Sequence, residues 1–226
     1  KTVSFGIFAH PDDESFGPVG TPLKATEAGF EVHLITLTRG EAGQNPDQLT
    51  DLGQAREASD ERLANAWAQA RSTTFTARMV TSTILHAGGF NRDRSAHPRT
   101  LRHQQLIFEI EFLTIDPNGL TGHIDHIVAA RAATFVYYRL KAANLPLTRI
   151  RYYCHSEASL PSYNIDWIYV DKGHGADEIG ETIDARGYRD KIIEVMQKHY
   201  TQRQDYENIL SRRGENLGLE YFIVQQ

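Results

Sequence analysis

The feature that most constrains the fold lies in the first forty residues. Thr2, Val3, Ser4, Phe5, Gly6, Ile7, Phe8 and Ala9 make a short apolar run that stops at Pro11. Such a run reads as a buried strand feeding a loop. A helical stretch follows from Val19 to Ala28, with Gly29 placed to cap it. Glu31 to Thr38 then reads as a second strand, ending in the polar, glycine-bearing segment Arg39-Gly40-Glu41-Ala42-Gly43. A strand, a helix and a strand at this spacing form a βαβ unit. That unit commits the two strands to run parallel, with a right-handed crossover.

The alternation continues more loosely. Gln54 to Arg71 reads as a charged amphipathic helix, Met79 to Leu85 as a strand, and Leu101 to Leu113 as a further helix. Asp116 to Gly122 has loop composition, and the Ala-rich segment from Ile124 to Ala143 reads as helical. Strands are expected near Arg151–Cys154 and Trp167–Val170, with a glycine-rich loop at Gly173–Gly175. A long helix from Tyr188 to about Leu210 precedes a final apolar run, Tyr221 to Val224. The predicted architecture is α/β: a Rossmann-like, mostly parallel sheet flanked by helices. It forms a single domain over 1–226, with the motif-bearing core at about 1–155 and a C-terminal extension at about 156–226. In sheets of this kind, ligands bind outside the carboxyl ends of the strands.

Composition narrows the partners. A chain of 226 residues can bury one substantial core. Its formal net charge of −5 offers no basic stripe for nucleic acid. No apolar run approaches the roughly 18 residues needed to span a bilayer, and no signal segment is expected. Cys154 is the single cysteine, so no intrachain disulfide can form, which fits a reducing, cytoplasmic setting. Neither a dinucleotide-type nor a Walker-type glycine pattern is present. The expected partner is a small molecule, and self-association into a homo-oligomer stays open.

Two short clusters carry the chemistry. His10-Pro11-Asp12-Asp13-Glu14 stands where the first strand ends. Adjacent carboxylates repel unless a cation or a shared proton compensates. Imidazole with carboxylate is a ligand set suited to zinc. In an extended loop His10 and Asp13 could bind metal while Asp12 faces a bound water. The plainer alternative is a solvated turn in which an Asp caps the next helix. The second cluster, Gly122-His123-Ile124-Asp125-His126, opens the Ala-rich helix. His123 and His126 can share one face of a first helical turn, with Asp125 able to orient an imidazole. Here the alternative is an exposed polar helix start, a role for which histidine is a poor choice. Together the clusters provide three ligands plus a spare carboxylate and imidazole. An open zinc site that hydrolyses its substrate needs that inventory.

Both motifs, in this order, resemble the LmbE/PIG-L-like family of zinc-dependent N-deacetylases. The likeness extends to Thr38-x-Gly40-Glu41-x-Gly43, the Arg56-Glu57 pair, Pro117-Asn118-Gly119, His199-Tyr200-Thr201-Gln202 and Glu220-Tyr221-Phe222. Carried over residue by residue, the resemblance implies that His10, Asp13 and His126 bind the metal. It implies zinc, one per chain, with another divalent ion as a substitute. Asp12 becomes the general base on the metal-activated water. His123 becomes general acid or oxyanion stabiliser, with Asp125 positioning it, and Arg56 contacts substrate. Glu14 is expected to brace its loop. Thr121 and Gln44 depart from residues some sugar-deacetylating members carry, which touches substrate choice and not reaction type. The implied activity is removal of an N-acetyl group from an amino sugar of the N-acetylglucosamine type. The competing readings are an amidase of the same chemistry on a larger acyl or thiol-conjugate substrate, and a non-catalytic metal- or sugar-binding module.

Overall fold

A computed structural model of the chain describes residues 2–66, 71–74, 109–159 and 172–226. Among these residues the strands are β1 (Thr2–Phe8), β2 (Glu31–Thr36), β3 (Arg71–Thr74), β4 (Glu109–Ile115), β5 (Leu147–Cys154), β6 (Glu181–Asp184) and β7 (Leu219–Gln225). The helices are α1 (Asp13–Phe16), α2 (Gly20–Glu27), α3 (Leu52–Ala66), α4 (Ile124–Ala142), α5 (Arg189–Met196) and α6 (Arg203–Arg213). The strands form one sheet in the order β3-β2-β1-β4-β5-β7-β6. The first five in that order pair in parallel, and β7 and β6 join antiparallel. The last strands of the chain therefore extend the same sheet that the opening βαβ unit begins.

The side chains explain why the strands lie flat between helices. Along β1, Val3, Phe5 and Ile7 face one side with Phe112 of β4 and Ala133, Val136 and Tyr137 of α4. Phe8 faces the other side with Leu113 and Ile115 of β4, Leu23 of α2 and Met196 of α5. Both faces are apolar because both are covered, as parallel sheets require. Phe5 aligns with His33 on β2 and with Phe112 on β4. Its ring stacks on His33 at 5.0 Å, so His33 is a packed core residue that also bonds Glu31 at 2.8 Å.

Three expected helices need correction. The one expected over Gln54–Arg71 does not extend to Arg71, which opens β3 beside β2. The helix expected over Leu101–Leu113 cannot hold at its end, because Glu109–Ile115 is a central parallel strand. Glu111 gave the segment a helical charge pattern. It is buried in the strand and neutralised across the pair by Arg151 Nη2 at 2.5 Å and Arg149 Nε at 3.0 Å. The long helix expected from Tyr188 to Leu210 is broken: α5 ends at Met196, and a 3₁₀ turn at Tyr200–Gln202 precedes α6. The strands expected at Met79–Leu85 and Trp167–Val170 lie outside the described residues. No helix among the described residues is long and apolar enough to cross a membrane.

Topology places the site. From β1 the order runs outward to β2 and β3 on one side and to β4 and β5 on the other. The loops that leave the carboxyl ends of β1 and β4 thus diverge over a crevice, the position where parallel sheets bind ligands.

Candidate metal centre

The loop after β1 is shaped by Asp13. Its Oδ2 accepts hydrogen bonds from the backbone N–H groups of Ala9, at 3.0 Å, and His10, at 2.9 Å. That fixes the carboxylate under the loop and leaves Oδ1 facing α4, where His126 Nε2 lies 3.0 Å away. His10 Nδ1 is 3.6 Å from Asp13 Oδ2. One ligand atom from each of His10, Asp13 and His126 falls within 4.8 Å of the others. His126 donates from Nδ1 to the Gly119 carbonyl at 3.2 Å, which leaves Nε2 aimed at the centre. Gly119 holds that carbonyl in place with φ +81°, and a Cβ there would meet His123 O at 2.9 Å.

The charges respond to this closeness. Burial works against ionisation of Asp13, but bonds from His10 and His126 hold its carboxyl far below the usual range. Burial likewise opposes charge on His10 and His126, yet the Asp13 carboxylate beside each ring carries both above the ordinary imidazole value. A buried anion braced by two imidazoles fits a divalent cation with borderline preference, and the donor set N, N, O is one zinc accepts.

Asp12 differs from its neighbour. Its backbone takes φ 151° and ψ −29°, in a region an L-residue seldom adopts. Gln202 donates to its Oδ2, while Oδ1 is buried with no partner. Burial, then the charges of Asp13 and Glu14, push its pKa well above the ordinary carboxylate value, and the Arg56 guanidinium opposes them. Asp12 therefore presents one bare carboxyl oxygen, its charge opposed by burial, beside the three ligand-type groups.

His123 is the N-cap of α4. Its Nδ1 accepts from the Asp125 backbone N–H at 3.2 Å, so in the neutral ring the proton sits on Nε2. Its ring stacks on His126 at 4.8 Å, and burial followed by the His126 and His10 charges lowers its pKa. The expected contact from the Asp125 carboxylate to His123 is replaced by another. That carboxylate bonds His10 Nε2 at 3.1 Å, and only the Asp125 backbone reaches His123. Ligand-type atoms of His10, His123 and Asp125 lie within 4.8 Å of one another, so the Asp125 carboxylate stands between the start of α4 and the β1 loop.

Arg56 is buried on α3 beneath the loop after β2. Its Nη2 donates to the Gln44 carbonyl at 3.4 Å and its Nε is buried without a partner. Arg56, Gln44, Thr121, Asp12 and the three ligand-type residues line a cavity of about 1170 Å³, which continues past Tyr153 and His155.

A buried support lies behind the site, and of its members the sequence pointed only to Glu14 as a brace. Glu14 Oε2 accepts from the Asp12 N–H at 3.1 Å, and its Oε1 meets Ser15 Oγ at 2.5 Å and His199 Nε2 at 2.8 Å. Glu14 thus braces its loop as expected. Asp60 accepts from Thr36 Oγ1 at 3.0 Å; its spacing of four from Arg56 on one helix was the available signal. Gln202 stood in a quoted motif, but its partner lies 190 residues away.

Comparison with known proteins bears on what such a site does. A 1D-myo-inositol 2-acetamido-2-deoxy-α-D-glucopyranoside deacetylase from Saccharomonospora viridis is 30% identical over 57% of this chain and 55% of its own length. The chain spans about half the length of that curated relative. A protein of the same name from Salinispora arenicola is 25% identical over 96% of this chain and 83% of its length. In three dimensions, the N,N'-diacetylchitobiose deacetylase of Pyrococcus horikoshii superposes with a TM-score of 0.64 at 14% identity, covering 100% of this chain and 83% of that one. A 4-carboxy-2-hydroxymuconate hydratase from Pseudomonas putida reaches 0.63 at 13% identity, covering 100% and 97%. At these identities the likeness establishes the fold, and one fold hosting a deacetylase and a hydratase leaves the chemistry to the site. The family model described as PIG-L, GlcNAc-PI de-N-acetylase, matches residues 6–137, more than half of the chain. The chain belongs to the PIG-L family.

Proposed function

We propose that this chain is a zinc-dependent hydrolase that removes the N-acetyl group from an N-acetylglucosamine-type amino sugar, using His10, Asp13 and His126 as metal ligands. What carries the reading is a single juxtaposition. Three ligand-type groups converge beside Asp12, a carboxylate whose Oδ1 is buried and unpartnered. The names of the related deacetylases support the amide as substrate and the acetylated amino sugar as its class. The whole chain acts as one catalytic domain, since Gln202 of the C-terminal extension reaches the loop after β1.

A zinc ion held there supplies the positive charge that acidifies a water and polarises the amide carbonyl. Asp12 receives the water proton on Oδ1 as the oxygen attacks the carbonyl carbon, a contribution typically worth about 10²–10⁴ in rate. His123 donates from Nε2–H to the carbonyl oxygen as it becomes anionic, an interaction of about 3–4 kcal/mol in comparable sites. Since its Nδ1 already accepts a backbone N–H, the ring serves as a neutral donor and not as the acid. The proton on Asp12 then passes to the nitrogen, the C–N bond breaks, and acetate and a free amine leave. Asp125 holds His10, and Arg56 contacts the sugar from beneath the Gly40–Gly43 loop.

The test is acetate and amine release, in equal amounts, from a panel of N-acetylated amino sugars, non-sugar N-acetyl amides and longer acyl amides. Sugar amides should be cleaved best. Asp12→Asn should keep its metal and lose at least about a hundredfold in kcat. Cleavage of non-sugar amides alone would overturn the substrate class, and metal loss in Asp12→Asn with retention in Asp13→Asn would reverse the two carboxylate roles.

A further inference from the structure

Asp12 is held in an unfavourable backbone conformation, and the structure shows what holds it. A residue near φ 151° with non-extended ψ costs about 1–3 kcal/mol and persists only when its surroundings over-determine it. Three sets of bonds do so. The Asp12 carbonyl accepts from Ser15 N–H at 2.9 Å and Phe16 N–H at 2.8 Å, opening α1. The Asp12 N–H donates to Glu14 Oε2, whose other oxygen is tied to His199, a residue with no exposed surface. The Gln202 amide donates both to Asp12 Oδ2 and to the Pro11 carbonyl, the latter at 3.2 Å.

The last contact fixes more than position. The Pro11 carbonyl can only accept, so the Gln202 nitrogen must face it, and the amide is oriented one way, with one hydrogen on Pro11 O and the other on Asp12 Oδ2. Its own oxygen is turned to Thr201 Oγ1 at 3.5 Å, and the side chain is 4% exposed. The two carboxylate oxygens of Asp12 are thereby made unequal: Oδ2 is satisfied and Oδ1 is bare.

We propose that Gln202 is a positioning residue for the reaction, holding Asp12 by Oδ2 so that Oδ1 alone meets the reacting water. The inference rests on the reading of Asp12 as proton acceptor. It explains the break between α5 and α6. A continuous helix would carry the segment past the site, whereas the 3₁₀ turn at Tyr200–Gln202 delivers Gln202 into it, with its N–H bonded to His199 O at 2.9 Å. The turn thereby supports Asp12 twice, directly through Gln202 and indirectly through His199 and Glu14.

The experiment compares the parent with Gln202→Met, which keeps length and volume, and with Gln202→Glu, which keeps shape but removes the amide donor. Each is examined by crystal structure, metal content and acetate release from N-acetyl-D-glucosamine. Both variants should retain metal and KM while kcat falls about tenfold to a hundredfold, the scale of a misplaced reacting group. In the crystal structures the Asp12 carboxylate should turn away from its parent orientation. Adding Gln202→Met to Asp12→Asn should change kcat by less than about twofold, because the group being positioned is already inactive. Parent-like kcat with an unmoved Asp12 would overturn the inference, as would losses that multiply in the double variant, the mark of a merely structural role. If Asp12→Asn itself stays active, the general-base reading fails, and the orientation of Asp12 in the Gln202 variants still decides whether Gln202 holds it.

Discussion

Gly43→Ala isolates the role of Arg56 without touching its charge. An added Cβ at Gly43 would stand 2.7 Å from Arg56 Nη1, 2.8 Å from Nη2 and 3.0 Å from Cζ. Ordinary contact is about 3.5 Å, so the guanidinium or the loop must give by about 0.5–0.8 Å. All three atoms belong to the far end of the Arg56 side chain, which lines the cavity, so the guanidinium is the group that gives way. Overpacking of a filled core costs about 1–3 kcal/mol, and a flexible side chain beside a cavity sits at the low end of that range. In a domain of this size about 1–2 kcal/mol lowers Tm by about 2–8 °C. A guanidinium displaced from its substrate contact should raise KM about tenfold, equivalent to about 1.4 kcal/mol, with kcat within about threefold. The assay is steady-state acetate release with calorimetry on the same preparations. Arg56→Ala should raise KM to a similar degree. Adding Gly43→Ala to it should do nothing further, since the atoms it strikes are gone. Parent-like KM and Tm in Gly43→Ala, or undiminished harm in the Arg56→Ala background, would refute the reasoning.

Other expectations follow from the same geometry. Glu111→Gln takes from buried Arg151 its anion at 2.5 Å and leaves Glu181 at 3.6 Å, so it should cost up to about 3–5 kcal/mol and lower Tm by as much as roughly 6–20 °C, read by calorimetry. His155 is held neutral by burial, its pKa lowered to about 4. The unfolded chain therefore binds the proton first as pH falls. Stability should be unaffected above pH 6.5 and should decline between about 6.5 and 4 by up to about 3 kcal/mol. His155→Gln should flatten that decline in melting curves taken across the range. His123→Ala should keep metal and KM while kcat and kcat/KM fall together by about a hundredfold or more, because its donation strengthens only as charge develops.

Sequence made some parts of this molecule legible and hid others, and the division is physical. The opening βαβ unit could be read because apolar periodicity, Pro11 and Gly29 are local signals, and β1, α2 and β2 lie where those signals put them. Both loops of the candidate site were legible because ligand-type side chains of uncommon kind crowd into a few positions. Strand β4 was not, since Glu111 looks like a solvated helix residue until Arg151, 40 positions on, is seen to neutralise it. The break after α5 was hidden for a similar reason. The 3₁₀ turn is stabilised by contacts to Glu14 and Asp12, at separations of 185 and 190 residues, which no local propensity encodes. The reach of Asp125 to His10 was missed because a helix-start aspartate has several directions open to it. Only the fold of the β1 loop selects one.

The proposed function stands on His10, Asp13 and His126 holding one divalent metal on which the activity depends. Its most direct test is the metal content of the chain purified without added zinc, beside His10→Ala and His126→Ala prepared in the same way. About one equivalent is expected in the parent and loss of most of it in each variant, because removing one of three ligands dismantles the site. Full metal retention in both variants would contradict it.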